Sequence, residues 1–257
     1  MSISTALRSV AAIRYVTPLR EGGSLPGLVE ADDDGLYVVK FRGAGQGLRA
    51  LVAEVIVGEL ARRLGLLVPE LVEVELDPVL GAAEPDPEIQ DLITGSGGSN
   101  LGVDFLPGSL PYTPGGPFTP DEALAADIVW LDALTTNVDR TPRNPNLLIW
   151  HDRLWLIDHG AALYLHHGGL NAAEHADRAF PLIADHVLLG RAASILDAHA
   201  RLASRVDVAA LGAVVSLVPS DWLAGIGEDP DAYVDYLNRR TRSGAFASEA
   251  ERARIDA

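Results

Sequence analysis

Residues 136–160 read Thr136-Asn137-Val138-Asp139-Arg140-Thr141-Pro142-Arg143-Asn144-Pro145-Asn146-Leu147-Leu148-Ile149-Trp150-His151-Asp152-Arg153-Leu154-Trp155-Leu156-Ile157-Asp158-His159-Gly160. Upstream, residues 121–134 put Ala125, Ile128, Leu131 and Leu134 on one face of a helix. Residues 137–146 cannot extend it, because Pro142 and Pro145 remove backbone donors and restrict the residues before them. Residues 146–150 and 154–157 read as two short strands joined at His151-Asp152-Arg153. The stretch therefore predicts a helix, a polar loop, a hairpin, and an acid placed two residues before a glycine. Asp139, Asn144 and Asp158 fall at the ends of these elements, where rigid structure presents side chains and the loop supplies access.

An Asp followed five positions later by Asn, then a hairpin, then Asp-x-Gly, resembles the order of parts in protein-kinase-like phosphotransferases. The residue types suit that chemistry. A hydroxyl acceptor needs a carboxylate to orient it and take its proton, a task for Asp139. Magnesium takes hard oxygen donors and keeps several waters, so the amide of Asn144 and the carboxylate of Asp158 suffice. The rest of phosphoryl transfer is positioning and charge stabilisation. The plainer alternative is an acidic loop that caps a helix, with Asp158 making a turn before Gly160.

Nineteen of the twenty basic residues are Arg, and the single lysine, Lys40, ends the strand predicted over 36–40. A bias of the coding sequence accounts for Arg elsewhere. At a strand end a compact ammonium reaches phosphate oxygens and a carboxylate together, where a planar guanidinium fits poorly. Before it, residues 1–9 read as a short helix or loose terminus, and 12–17 and 28–31 as strands. Between these strands lies a glycine-rich stretch with Gly22, Gly23 and Ser24. Such a loop closes backbone N–H groups over phosphates, or simply connects a hairpin. A helix over 48–64 follows, with Leu51, Val55, Gly58 and Leu60-Ala61 as its buried stripe and Gly65 as its cap. Glu54 on that helix is the candidate partner of Lys40, with Glu59 as its competitor.

Residues 71–76 alternate as a strand, and 77–100 form a Pro/Gly-rich insertion with a short helix over 86–94. Residues 101–106 read as the last strand of this half, and the segment from Pro107 to Thr119 as the boundary. The predicted domains are 1–107 and 108–257. Helices are expected over 182–189, 192–204, 208–217, 230–242 and 249–256, with Ser220 and Asp229-Pro230 as further helix starts. His166 and His167 are adjacent, point apart on regular structure and have no third ligand at useful spacing.

Without cysteine, disulfides, zinc–thiolate sites and thiol catalysis are excluded. The formal net charge of −16 argues against a nucleic-acid footprint, which needs a basic face. No apolar run approaches a membrane span and no signal-peptide pattern opens the chain, so a soluble, cytoplasmic protein is expected.

The strand ending in Lys40, the Glu54 helix, Asn137-Val138-Asp139-Arg140-Thr141-Pro142-Arg143-Asn144-Pro145-Asn146 and Ile157-Asp158-His159-Gly160 together resemble the HipA-like kinase family, and more distantly phosphatidylinositol 3/4-kinases. Asn137, two before Asp139, fits the HipA pattern. The family's histidine two positions after the catalytic Asp is Thr141 here, and His159 stands in the middle of Asp-x-Gly. The resemblance implies an α+β, two-lobed protein-kinase-like fold, with an antiparallel-sheet N-lobe and a mainly helical C-lobe. It implies transfer of the ATP γ-phosphoryl group, with Mg2+, to a protein Ser or Thr. Lys40 would bind phosphates, Glu54 orient Lys40, Asp139 position the acceptor, and Asn144 with Asp158 hold the metal. Gly22, Gly23 and Ser24 would cover the phosphates, and Phe105 and Leu106 line the adenine site. It also makes Ser24 a candidate for self-phosphorylation, against a plain turn hydrogen bond. A small-molecule kinase, an adenylylating enzyme and an ATP-binding scaffold without turnover use the same residues.

Overall fold

Alternating burial shapes the first third of the chain. The computed structural model describes residues 6–19, 25–45 and 47–257. It begins with β1 (Arg8–Pro18), β2 (Gly27–Ala31) and β3 (Leu36–Lys40), followed by α1 (Gly47–Leu64), β4 (Leu71–Leu76), α2 (Pro87–Gly95) and β5 (Gly98–Asp104). Val29, Ala31, Tyr37 and Val39 point inward with Val10, Val72, Val74 and Leu76, and Ile89 and Ile93 of α2 join the same cluster. Because successive side chains alternate faces, Val38 and Lys40 take the opposite side of β3, where Val38 packs with the cluster built around α1.

These five strands run in the order β1–β2–β3–β5–β4 and close into a barrel. The expected antiparallel sheet holds for four of its pairings, but β4 pairs with β1 in parallel. A parallel pairing needs a long crossover, and the chain from β2 to α1 supplies it. Closure leaves no unpaired edge to attract other chains. Arg8 and Ser9, expected in a helix or loose terminus, belong to β1, because their backbone is recruited by Val72 and Glu73 of β4.

The linker holds a two-residue strand β6 (Leu110–Pro111), and α3 (Glu122–Thr135) leads to the hairpin β7 (Leu147–Trp150) and β8 (Arg153–Leu156). β6 pairs with β7, so the linker is fastened to the hairpin rather than free. Asp121 caps α3 by accepting from the Ala123 and Leu124 amides, and Thr136 ends it in the left-handed region at φ 52°. The remainder is helical, with α4 (Ala172–His175), α5 (Ile195–Leu202), α6 (Val208–Val215), α7 (Ser220–Ile226), α8 (Pro230–Ser243) and α9 (Ala245–Ile255). The fold is thus mixed α and β, with a sheet-rich N-terminal part and a helical rest.

One helix expectation fails for a tertiary reason, and another holds with more burial than its stripe implied. Residues 182–189 form no α-helix; 3-10 turns over Pro181–Asp185 and Leu189–Arg191 flank an extended His186, whose ring is drawn to Asp132. α1 shows more than a stripe, since residues on all its sides are buried between barrel and helices. No single helix among the described residues is long and apolar enough to cross a membrane.

Candidate active site

Lys40 leaves the end of β3 on the side facing α1, and there its ammonium meets two carboxylates. Nζ pairs with Glu54 Oε1 of α1 and donates to Asp158 Oδ1 at 2.6 Å. Of the two glutamates considered for the pairing, Glu54 makes it, while Glu59 faces Arg62 at 3.6 Å. Glu54 also accepts from the backbone: His159 N donates to Oε2 at 2.9 Å and Gly160 N to Oε1 at 2.8 Å. One buried carboxylate thereby holds the lysine with one edge and the Asp158-His159-Gly160 turn with both oxygens. Burial works against the Lys40 charge, but Glu54 and Asp158 outweigh it and raise its pKa. Burial alone would push Asp158 up, yet the Lys40 charge and hydrogen bond bring it down to about 2. Asp158 adopts φ 57°, an uncommon conformation for a residue with a Cβ, which costs energy and collects at functional sites.

The second carboxylate group lies on the loop after α3. Asp139 Oδ2 accepts from Asn144 Nδ2 at 2.8 Å and from Asn146 Nδ2 at 3.3 Å. Each asparagine spends its amide N–H on Asp139, so among the described residues neither side-chain oxygen has a protein hydrogen-bond partner. Asn144 is exposed, whereas Asn146 is buried at the mouth of the hairpin, where its carbonyl accepts from Ile157 N at 3.1 Å. Asp158 follows Ile157 directly. The unengaged amide oxygens and the half-exposed Asp158 carboxylate are hard donors that fit a magnesium ion.

A buried network fixes this loop, and most of it escaped the sequence reading. Asp132, fully buried in α3, accepts from Asn137 Nδ2 at 3.1 Å, Arg140 Nε at 2.6 Å and His186 Nε2 at 2.9 Å. Asn137 Oδ1 in turn accepts from the Asp139 amide at 3.1 Å. Arg140 donates to the carbonyls of Asn146 at 2.5 Å and Ile157 at 3.3 Å, and its Nη2 lies 3.2 Å from His159 Nδ1. A guanidinium has no acceptor, so His159 accepts at Nδ1 and carries its proton on Nε2. Burial and the neighbouring Arg140 lower His159 to about 3, which keeps it neutral. Burial would raise Asp132, but Arg140 and His186 hold it well below the usual carboxylate range. An acid inside the otherwise apolar run 128–134 was the available signal for Asp132. Nothing local marks Arg140 or His186.

The geometry joins Lys40, Glu54 and Asp158 directly, and links them to Asp139 and Asn144 through Arg140 and the hairpin mouth. Phe105 and Leu106 lie just past the end of β5, where the Phe105 amide donates to the Leu36 carbonyl at 2.9 Å. They sit beside the start of β3, at the opposite end from Lys40, which pairs with Leu101. Leu106 is buried and Phe105 partly so. Gly22, Gly23 and Ser24 lie outside the described residues. His166 places Nδ1 3.1 Å from the Tyr233 hydroxyl inside the helical part.

The family model described as HipA-like kinase matches residues 12–240. No curated protein matches the sequence. Among solved structures, the Helicobacter pylori proinflammatory kinase CtkA is similar at a TM-score of 0.53 and 12% identity, over 96% of this chain and 99% of that one. The Golgi casein kinase is similar at a TM-score of 0.50 and 13% identity, over 97% of this chain and 72% of that one. At such identities the likeness to these structures is one of fold.

Proposed function

The chain belongs to the HipA-like kinase family and is an ATP-dependent kinase, and we propose that its acceptor is a Ser or Thr hydroxyl of a protein. The observation that carries the site assignment is the joining of Lys40, Glu54 and Asp158 around one ammonium. In this reading the chain has two lobes, residues 1–107 and 108–257, with the nucleotide between them and its adenine beside Phe105 and Leu106. Lys40 holds phosphate oxygens, and Glu54 keeps its ammonium turned towards them. Asp139 orients the acceptor hydroxyl and receives its proton as the oxygen bonds to the γ-phosphorus. The bond from that phosphorus to the bridging oxygen breaks, and ADP leaves. A magnesium ion, when bound, neutralises charge on the phosphates. Asp158 supplies its carboxylate, and Asn144 or Asn146 its amide; the hairpin favours Asn146, which stands across from Ile157 and so beside Asp158.

Incubation of the chain with γ-labelled and α-labelled ATP, magnesium and cell lysate tests this. Transfer of the γ label to protein, yielding phosphoserine or phosphothreonine, is expected. Transfer of the α label would identify an adenylylating enzyme, and γ label found only in small molecules a small-molecule kinase. Binding without any transfer would point to a scaffold. A folded Lys40→Ala protein should lose about two to three orders of magnitude in ATP turnover, the effect of one transition-state charge contact.

A further inference from the structure

Glu54 reaches Lys40 and the Asp158-His159-Gly160 turn together only while α1 stands at one height and rotation. Contacts from the C-terminal part of the chain set that position. Arg49, in the first turn of α1, donates through Nη1 to Glu228 Oε1 at 2.9 Å and to the His166 carbonyl at 2.7 Å, and through Nη2 to the Ile226 carbonyl at 3.2 Å. His166 belongs to the segment that follows Gly160, while Ile226 and Glu228 form the end of α7 and the turn into α8. α7 is anchored to the barrel as well. The buried Trp222 donates from Nε1 to Ser99 Oγ of β5 at 3.0 Å, and Ser99 donates to Glu73 Oε1 of β4 at 2.5 Å. Gly225 lies so close to α1 that a Cβ there would sit 2.7 Å from Leu48 Cδ1.

The placement of Arg49 runs against local preference. The first turn of a helix carries partial positive charge and favours acids, yet α1 has no acid there and has an arginine. Its value lies in tertiary structure. The guanidinium fork serves three acceptors from two other parts of the chain, which an ammonium could not match. The side chains of Arg49 and Glu228 are only 24% and 11% exposed, so the pair is held largely out of water.

We propose that Arg49 is a positioning residue for phosphoryl transfer, and that α7 with the turn through Glu228 is an intramolecular clasp that sets α1, and through it Glu54, in register with Lys40. The inference rests on the kinase reading. It makes the C-terminal helices part of the catalytic assembly, and it lets the lysine–glutamate pair form from the chain's own contacts.

Arg49→Ala, Arg49→Lys and Glu228→Gln test it, read out by kcat/KM for magnesium–ATP and by hydrogen exchange at the His159 and Gly160 amides, which donate to Glu54. Arg49→Ala should lower kcat/KM by about tenfold to a hundredfold, the effect of a small misplacement. It should also speed exchange at those two amides while the α3 amides stay protected. Arg49→Lys should recover only part of both losses, and Glu228→Gln should fall between. Unchanged kcat/KM and unchanged exchange at His159 and Gly160 in folded Arg49→Ala would overturn the clasp. If Arg49→Ala does not fold, the same two readouts on Glu228→Gln decide. An unaltered chain that does not turn over ATP counts against the kinase reading, whereas the exchange measurement tests the clasp independently of turnover.

Discussion

Gly160 donates its amide to Glu54 Oε1 at 2.8 Å, and a Cβ at residue 160 would stand 3.1 Å from that same oxygen. The carboxylate that holds Lys40 is thus seated on a residue with no side chain, at a distance where a Cβ would make it give by a few tenths of an ångström. The glycine of Asp-x-Gly serves here for close approach, not for an unusual backbone angle.

Gly160→Ala should therefore crowd Glu54 and shift its carboxylate by a few tenths of an ångström while the backbone keeps its path. Crowding of this kind costs about 1–3 kcal/mol of stability. The loss of ATP turnover should be about tenfold or more, as for a displaced catalytic group. Thermal unfolding and steady-state kinetics on one preparation measure both, and wild-type kinetics in the alanine protein would refute the packing argument.

The two aspartates should separate by role. Asp139→Asn keeps the loop's shape and should retain magnesium–ATP binding while losing about 10²–10⁴ in transfer, the contribution of a general base. Asp158→Asn should weaken metal-dependent nucleotide binding itself, because the substituted group pairs with Lys40 and offers a metal oxygen. Calorimetric titration of ATP into each variant, with and without magnesium, distinguishes them. Equal loss of binding in both would mean that the roles are misassigned.

Asn144 and Asn146 make the same hydrogen bond to Asp139 Oδ2, so their substitution isolates the metal oxygen. Asn146→Ala should weaken Mn2+ binding in the presence of ADP by about tenfold or more, since even indirect partners of a metal site are worth that much. Asn144→Ala should change it little. Paramagnetic resonance of bound Mn2+ reads the difference directly, and the reverse order would return the ligand to Asn144.

Acid should destabilise the fold through two buried histidines. Burial, with Arg140 beside His159 and with His167 and Arg49 beside His166, lowers both histidines from 6.5 to about 3. Each then binds fewer protons folded than unfolded, so stability is full above about pH 6.5 and is lost as pH falls towards 3. The slope is about 1.4 kcal/mol per pH unit for each group. Denaturant titrations between pH 7 and pH 4 should show it, and His166→Gln should remove about one proton from the slope. A flat profile over that range would contradict the burial of these rings.

Much of the site was legible because its signals are local. Pro142 and Pro145 stop a helix wherever they stand, so the loop carrying Asp139 and Asn144 could be read from neighbours alone. The aromatic and β-branched residues Tyr37, Val38 and Val39 likewise favour a strand, and in a strand Lys40 takes the face opposite Val39. Glu54 stands among apolar neighbours on its helix, which marks it as the candidate, but only the fold separates it from Glu59, by bringing Glu54 to Lys40 and Glu59 to Arg62. By contrast, Phe105 and Leu106 were read as strand residues, while pairing with β3 and β4 ends β5 at Asp104.

By itself, the sequence determined the order of the chemical parts: a lone ammonium at a strand end, an acid on the following helix, and an Asp–Asn loop with a second Asp behind a hairpin. These rest on periodicity, proline stereochemistry and spacing, which act over a few residues. Only the tertiary structure decided which partners meet. The parallel closure of β1 on β4, the capture of Asp132 by a histidine 54 positions away, and the bond from Arg49 to a glutamate 179 positions away leave no local mark. Each is selected by what remains unpaired when elements pack, since a buried charge or backbone group is costly until something distant satisfies it.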